Sequence, residues 1–123
     1  MIDLKNAVHE CRSQILMDLD ASDFRWPDLL MIRAANWTIL EMLNLRPILK
    51  FSAPNAYSGA EAFLVPETAL NDGASFEIQL PAKYREAFTH GMAARCFNGD
   101  ANNQVDASRM AYELQRFNEL MKL

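Results

Sequence analysis

Cysteine, glycine and long apolar runs are all scarce in this 123-residue chain. Two cysteines, Cys11 and Cys96, are too few for a disulfide framework, and both fall in predicted helices, which suits a reducing compartment. The four glycines form no phosphate-binding loop, and the histidines form no metalloprotease motif. The familiar signatures of nucleotide and metal enzymes are therefore missing.

The N-terminus, MIDLKNAVHECRSQ, has charges interrupting every short apolar run. This pattern predicts neither a secretory signal nor a membrane span, so we expect no membrane association and a protein that stays in the cytoplasm where it is made.

Basic residues are spread along the chain, and the net charge is -4. Tight nucleic-acid binding is therefore disfavoured, although a channel that lets DNA slide past would also lack a basic lining. Half of the residues are hydrophobic and 23% are charged, as in ordinary globular proteins. Length and composition together predict one folded domain over residues 1–123.

The first half of the chain predicts two helices. An apolar residue recurs every three or four positions from Asp3, a plausible N-cap, to about Leu19. The second helix occupies RWPDLLMIRAANWTILEMLNL, residues 25–45, with Pro27 in its first turn and Pro47 ending it. The core face predicted for this helix is Met31, Ile32, Ala35, Ile39, Met42 and Leu43.

Helical periodicity disappears between Pro47 and Pro81, where Pro54, Gly59, Pro66 and Asn71-Asp72-Gly73 predict loops and turns. EAFLV at 61–65 and SFEIQL at 75–80 have strand-like composition, and the second alternates apolar with polar residues. We predict that they pair as a β-hairpin. Its apolar side must then lie on the helices or on a neighbouring molecule, because an isolated hairpin is marginal in water.

Two further helices are predicted after Pro81. Ala87, Gly91 and Ala94 give the third helix a small-residue stripe that permits close helix packing, and Gly99-Asp100 predicts its stop and the next N-cap. The fourth helix has a seam spaced three and four residues apart: Ala107, Met110, Leu114, Phe117 and Met121. The expected fold class is mainly α, a four-helix domain with a small β-hairpin inserted between helices two and three.

The sequence gives little support for a catalytic site or a metal site. The two histidines and two cysteines equal the ligand number of a zinc site, but their spacing turns His9 away from Cys11 and His90 away from Cys96. No nucleophile has a local histidine base, although a pairing of Cys96 with His9 stays open. The single carboxylates Glu10, Glu86, Glu113 and Glu119 are expected on solvated helix faces. We expect no enzyme activity and no cofactor.

One side of helix two lacks the polar residues that solvent exposure requires. Leu30, Trp37 and Leu40 lie among Arg33, Glu41 and Asn44, opposite the predicted core face. Cover by a second subunit is favoured over cover by the middle segment of the same chain.

On helix four, Arg109, Tyr112 and Arg116 face away from the seam. A solvated face is the favoured interpretation there, and a protein interface is the alternative. The candidate subunit-interface residues are Leu30, Arg33, Trp37, Leu40, Phe63, Val65, Arg109, Tyr112 and Arg116.

The order of these pieces resembles the head-to-tail connector (adaptor, or head-completion) proteins of tailed bacteriophages. The matching residues are Arg25-Trp26 with Leu29-Leu30, Leu80-Pro81 with Tyr84, and RCFNGDANNQVDASRMAYELQRFNELM at 95–121. The last stretch matches best, through its turn at 96–100 and its Arg116-Phe117 pair. Residues 51–74 follow no family pattern, and Pro27 stands where such proteins usually have a small polar cap.

The resemblance implies a structural virion protein, assembled in the host cytoplasm as a dodecameric ring under the portal. Such a ring extends the DNA channel, lets DNA pass without sequence-specific binding, and offers a docking platform to a tail or nozzle component. A tail-completion or stopper protein of the same virion region is the nearest alternative. A small helical DNA-binding regulator is the alternative from another class.

Overall fold

The computed structural model describes residues 1–52, 61–98 and 104–123. Its strands are β1 (Ile2–Asp3) and β2 (Glu77–Ile78), and its helices are α1 (Leu4–Glu10), α2 (Asp28–Leu45), α3 (Arg85–Asn98) and α4 (Gln104–Met121). A π-helical segment, Cys11–Leu16, extends α1, and short 3-10 segments occupy Pro47–Ser52, Asn71–Gly73 and Ala82–Tyr84. The predicted mainly α class, with four helices and a small two-stranded antiparallel sheet, is confirmed.

Helix α1 begins where the sequence predicts and ends early. The Asp3 side chain accepts a hydrogen bond from the Asn6 backbone N–H at 3.1 Å, which confirms the N-cap. Met17 adopts a left-handed conformation at φ 53° and closes the helical segment. Leu19 therefore lies outside the helix with 64% of its surface exposed, and its predicted place in the apolar stripe is wrong.

The sheet pairs different segments from those predicted. Ile2 lies opposite Ile78 and Asp3 opposite Glu77, so the N-terminus is the partner of β2. Residues 61–63 form a 3-10 turn instead of a strand. Within 75–80 the predicted alternation is confirmed, because Ile78 and Leu80 are buried while Glu77 is exposed.

Helix α3 is the centre of the fold and packs against both α2 and α4. All six predicted core residues of α2 are buried, as are Ala87, Gly91 and Ala94 of α3. A Cβ built on Gly91 would lie far inside van der Waals contact with Thr38 Cγ2 and 3.1 Å from Phe117 Cδ2. Gly91 thus permits the close approach of three helices that its small size predicts.

Helix α4 buries a more polar face than its predicted seam. Phe117 and Met121 are buried, but Ala107 is exposed. Asp106 and Glu113, seven residues apart, are buried instead. Each acid has a partner from elsewhere in the fold: Arg25 pairs with Asp106 and His90 with Glu113. The expectation that Glu113 is solvated is wrong for this reason.

Three predicted features lie outside the described residues. These are the Gly99-Asp100 helix stop and N-cap, and the turns at Pro54 and Gly59. Pro27 occupies the N-cap position of α2, one residue before the predicted first turn, and α2 ends at Leu45 ahead of Pro47.

Candidate interaction surface

The outward side of α2 is the largest departure from an ordinary solvated helix. Positions 30, 33, 37 and 40 fall within about 80° of one another at 100° per residue. Leu30 and Leu40 each expose 41% of their surface, Arg33 is exposed and Trp37 is half-buried. We call these four residues the α2 face. The structure gives it no complete cover from the described residues.

The apolar surface continues past the end of α2. Leu45, Ile48 and Phe51 expose 50%, 71% and 77% of their surfaces. The sequence analysis did not single out these residues, although their spacing of three continues from Leu45. These residues form a second exposed apolar patch at the end of α2.

The described part of the middle segment lies along one edge of α2. The Asn36 side-chain amide donates to the Val65 carbonyl at 3.0 Å, and Asn36 Oδ1 accepts from the Val65 N–H at 2.7 Å. Phe63 and Val65 consequently lie in the core of the same chain, with 1% and 4% exposed. In this conformation neither is accessible to a second copy, so their proposed place in a subunit interface is corrected.

Arginines border the opposite edge of α2. The Arg95 guanidinium from α3 lies 5.7 Å from the centre of the Trp37 ring. This cation–π contact orients the guanidinium group. Beside it opens a cleft of about 620 Å³, whose lining includes Arg25, Arg33 and Arg95 above Trp26, Leu30 and Ala34. Arg95 is a surface residue that sequence reasoning missed, because its nearness to Trp37 depends on how α3 docks on α2.

The floor of this cleft is held firmly by Trp26. Its Nε1–H donates to the Cys96 carbonyl at 3.1 Å, and its ring meets Phe97 edge-to-face at 5.6 Å. Asp18, itself buried, accepts from the backbone N–H groups of Arg25 and Trp26, each at 3.0 Å. The cleft is therefore a preformed feature of the folded chain.

The predicted row on α4 is divided between intrachain contacts and solvent. Arg116 contacts Glu86 at 3.3 Å and Glu119 at 3.7 Å. Arg109 stacks on the Phe97 ring at 5.2 Å, and Tyr112 is 64% exposed. Ion pairing within the chain accounts for Arg116, whereas Arg109 and Tyr112 are both exposed.

The cysteines and histidines are distributed over separate environments. Cys11 Sγ–H donates to the Thr89 carbonyl at 3.6 Å, and Cys96 Sγ lies 3.6 Å from Met31 Sδ, both in the core. His9 is exposed, whereas His90 contacts Glu113. Within residues 1–52, 61–98 and 104–123, no three histidine, cysteine or acidic side chains are grouped as metal ligands.

Burial makes both thiols poor nucleophiles. Desolvation raises the pKa of Cys11 above its ordinary value of 9.0, and the nearby Cys96 raises it further. Burial likewise raises the pKa of Cys96 to about 12, opposed by Arg12. The stabilising contribution of the protonated thiols is therefore complete below the unfolded-state pKa near 9.0 and is lost as pH rises through the folded-state values.

We expect both thiols to resist modification in the native protein. At about pH 8 a thiol reagent such as DTNB should react with neither cysteine until the chain unfolds, because the reactive species is the thiolate. Absorbance at saturation in denaturant should then report two thiols per chain. Rapid reaction of one thiol in the native protein would contradict the buried positions.

No helix in the described part of the chain combines the length and apolar content needed to cross a bilayer. Comparisons with models of protein families, with curated proteins and with solved structures gave no match for this chain.

Proposed function

We propose that this chain is a structural head-to-tail adaptor of a tailed bacteriophage. Its copies associate into a ring under the portal, extend the DNA channel and present a docking platform to a tail or nozzle component. The α2 face is the observation that supports this most directly. A helix in the middle of the fold has its core face packed and its opposite apolar face left partly open.

Magnitudes indicate how large the covering partner must be. Burying a large apolar side chain completely contributes roughly 1.5–3 kcal/mol, and Leu30 and Leu40 are already more than half buried. Two leucines alone cannot hold copies together, since a stable interface buries on the order of 1,200–2,000 Å² in total. Leu45, Ile48 and Phe51 offer further exposed apolar surface for a copy-to-copy contact.

The residues that carry the resemblance serve as framework in the fold. Trp26, Leu80 and Tyr84 are buried, and Phe117 packs where a side chain on Gly91 would clash. The resemblance to adaptor proteins is therefore carried by residues that pack the helices together. The net charge of -4 also suits a protein past which DNA must move without being retained.

The size of the particle in solution tests the proposal. Purified protein should form a ring, a dodecamer by the resemblance, in light scattering and native mass spectrometry, and it should co-sediment with its portal. A tail-completion protein would associate with tail components and leave the portal unbound. A gel shift of duplex DNA at physiological salt would instead support the DNA-binding regulator. If the protein is monomeric at high concentration and does not bind the portal, the adaptor proposal is contradicted.

Leu40→Glu should convert the assembled protein into a folded monomer. The substitution places a charge on the α2 face, where burial against a second copy would require its desolvation. Because Leu40 exposes 41% of its surface in the single chain, the new carboxylate can reach water there, and circular dichroism should still show a folded helical protein.

Leu19→Glu is the matched control for Leu40→Glu. It introduces the same charge at an exposed leucine outside the α2 face and should leave the particle mass unchanged. An unaltered particle in the Leu40→Glu variant would refute the role of the α2 face.

A further inference from the structure

The exposed side of α2 is flanked by two edges of opposite charge. On one edge, Arg33 and Arg95 face the cleft. On the other edge, Asn36 fixes the segment at 61–67, which carries the exposed carboxylates Glu61 and Glu67. Trp37, which contacts Arg95, points about 100° around the helix from Asn36, so Arg95 and the segment at 61–67 lie on different sides of α2. Arg33 points between these two directions, about 60° from Asn36.

Neither charged pair has an ion-pair partner within the part of the chain that the structure describes. Among the described residues, no carboxylate lies within ion-pair distance of Arg33 or Arg95, and no basic group lies within that distance of Glu61 or Glu67. Ion pairs do form elsewhere on the surface, as in Arg85 with Glu10, and other exposed ions such as Asp23 and Lys83 have no ion pair among the described residues either. What distinguishes Arg33, Arg95, Glu61 and Glu67 is that they lie beside the exposed side of α2.

The cleft is suited to carboxylates of a protein. Its rim consists of arginines, whose planar guanidinium groups bind carboxylates in bidentate fashion, and the Trp37 ring restrains Arg95 before any partner arrives. Its floor of Trp26, Leu30 and Ala34 is apolar and accommodates side-chain carbon. A net charge of -4 disfavours a polyanion such as DNA at long range.

We propose that copies of this chain join head to tail, with Glu61 and Glu67 of one copy bound at the Arg33 and Arg95 edge of the next. This inference rests on the proposed self-association and specifies its polarity. Two different patches that complement each other define a heterologous contact, which repeats around a closed ring. Face-to-face pairing of two arginine edges is opposed by like charge.

Charge reversal tests the pairing directly. The Arg33→Glu/Arg95→Glu variant and the Glu61→Arg/Glu67→Arg variant should each lose self-association by at least ~10-fold, measured by light scattering. An equimolar mixture should regain particles, because each reversed edge then meets its complement. Association of the unaltered protein should also weaken as the sodium chloride concentration is raised. This measurement uses no variant, so it stays informative even if a variant folds poorly.

The controls reverse the same charges elsewhere. Lys5→Glu/Lys83→Glu matches the arginine variant, and Asp23→Arg/Glu77→Arg matches the glutamate variant, at exposed positions outside both edges. Both controls should assemble normally. Circular dichroism verifies that all four proteins are folded.

Several results would overturn this pairing. They are failure of the mixture to assemble, loss of association in the controls, loss in only one of the two test variants, and association that is insensitive to salt. If Leu40→Glu dissociates the particle while the charge reversals do not, the adaptor proposal stands and this inference fails. If the unaltered protein is monomeric, both fail.

Discussion

Gly91→Ala is expected to destabilise the fold, although alanine is the better helix former. Intrinsic propensity would favour alanine in the interior of α3 by about 1 kcal/mol. Against this, the new methyl group would overlap Thr38 Cγ2 from α2 and approach Phe117 from α4 at 3.1–3.2 Å. Overpacking of a close-packed core costs typically about 1–3 kcal/mol. The clash should outweigh the gain in helix propensity, so we expect a net loss of up to about 2 kcal/mol in the free energy of unfolding, measured by urea denaturation.

A second substitution identifies the cause of that loss. Thr38→Ser removes only the Cγ2 methyl and keeps the hydroxyl, which donates to the Ala34 carbonyl at 2.8 Å. In the Gly91→Ala/Thr38→Ser double variant much of the lost stability should return, so the two effects are non-additive. Additive losses, or a stabilised Gly91→Ala variant, would show that the three helices are not packed as closely as the structure has them.

The helices could be predicted from sequence because their signals are local. The periodicity of α2 alone identifies its buried face, and Asp3 and Pro47 indicate where helices begin and end. The stripe on α3 likewise follows from spacing, since small residues at Ala87, Gly91 and Ala94 leave room for another helix. These features depend on residues within one or two turns of each other.

Features that depend on distant partners could not be predicted. Strand β1 has two residues, too few for any alternation, so nothing in the sequence indicates that Ile2 pairs with Ile78. EAFLV is a short apolar run, which composition alone cannot assign to strand or buried turn. Asp106 is buried because Arg25, 81 residues earlier, reaches it.

The candidate surface was predictable only in part for the same reason. The exposure of Leu30 and Leu40 follows from helical geometry, since both lie opposite the core face. The accessibility of Phe63 and Val65 depended on an assumed hairpin, and the Asn36 hydrogen bonds place them in the core instead. Arg95 joins the surface through tertiary docking, which no local pattern encodes.

Trp26→Ala should produce the largest loss of stability among single substitutions near the cleft. Trp26 exposes 7% of its surface, and its indole packs edge-to-face on Phe97 and donates to the Cys96 carbonyl of α3. Truncation of a buried aromatic side chain costs about 3–5 kcal/mol. A domain of this size is stable by only about 5–15 kcal/mol, so the variant should unfold at a much lower urea concentration, monitored by circular dichroism.

The second tryptophan of the chain supplies the matched comparison. Trp37 is half-buried and its ring contacts the Arg95 guanidinium, so Trp37→Ala should cost clearly less than Trp26→Ala in the single folded chain. Trp26→Phe should cost less than Trp26→Ala, since it keeps an aromatic ring near Phe97 while losing part of the buried indole volume and the hydrogen bond to Cys96, the latter worth about 1 kcal/mol. If Trp26→Ala and Trp37→Ala were equally destabilising in isolated monomers, the indole of Trp37 would have to lie as deep in its own chain as that of Trp26. The α2 face would then have no need of a second copy.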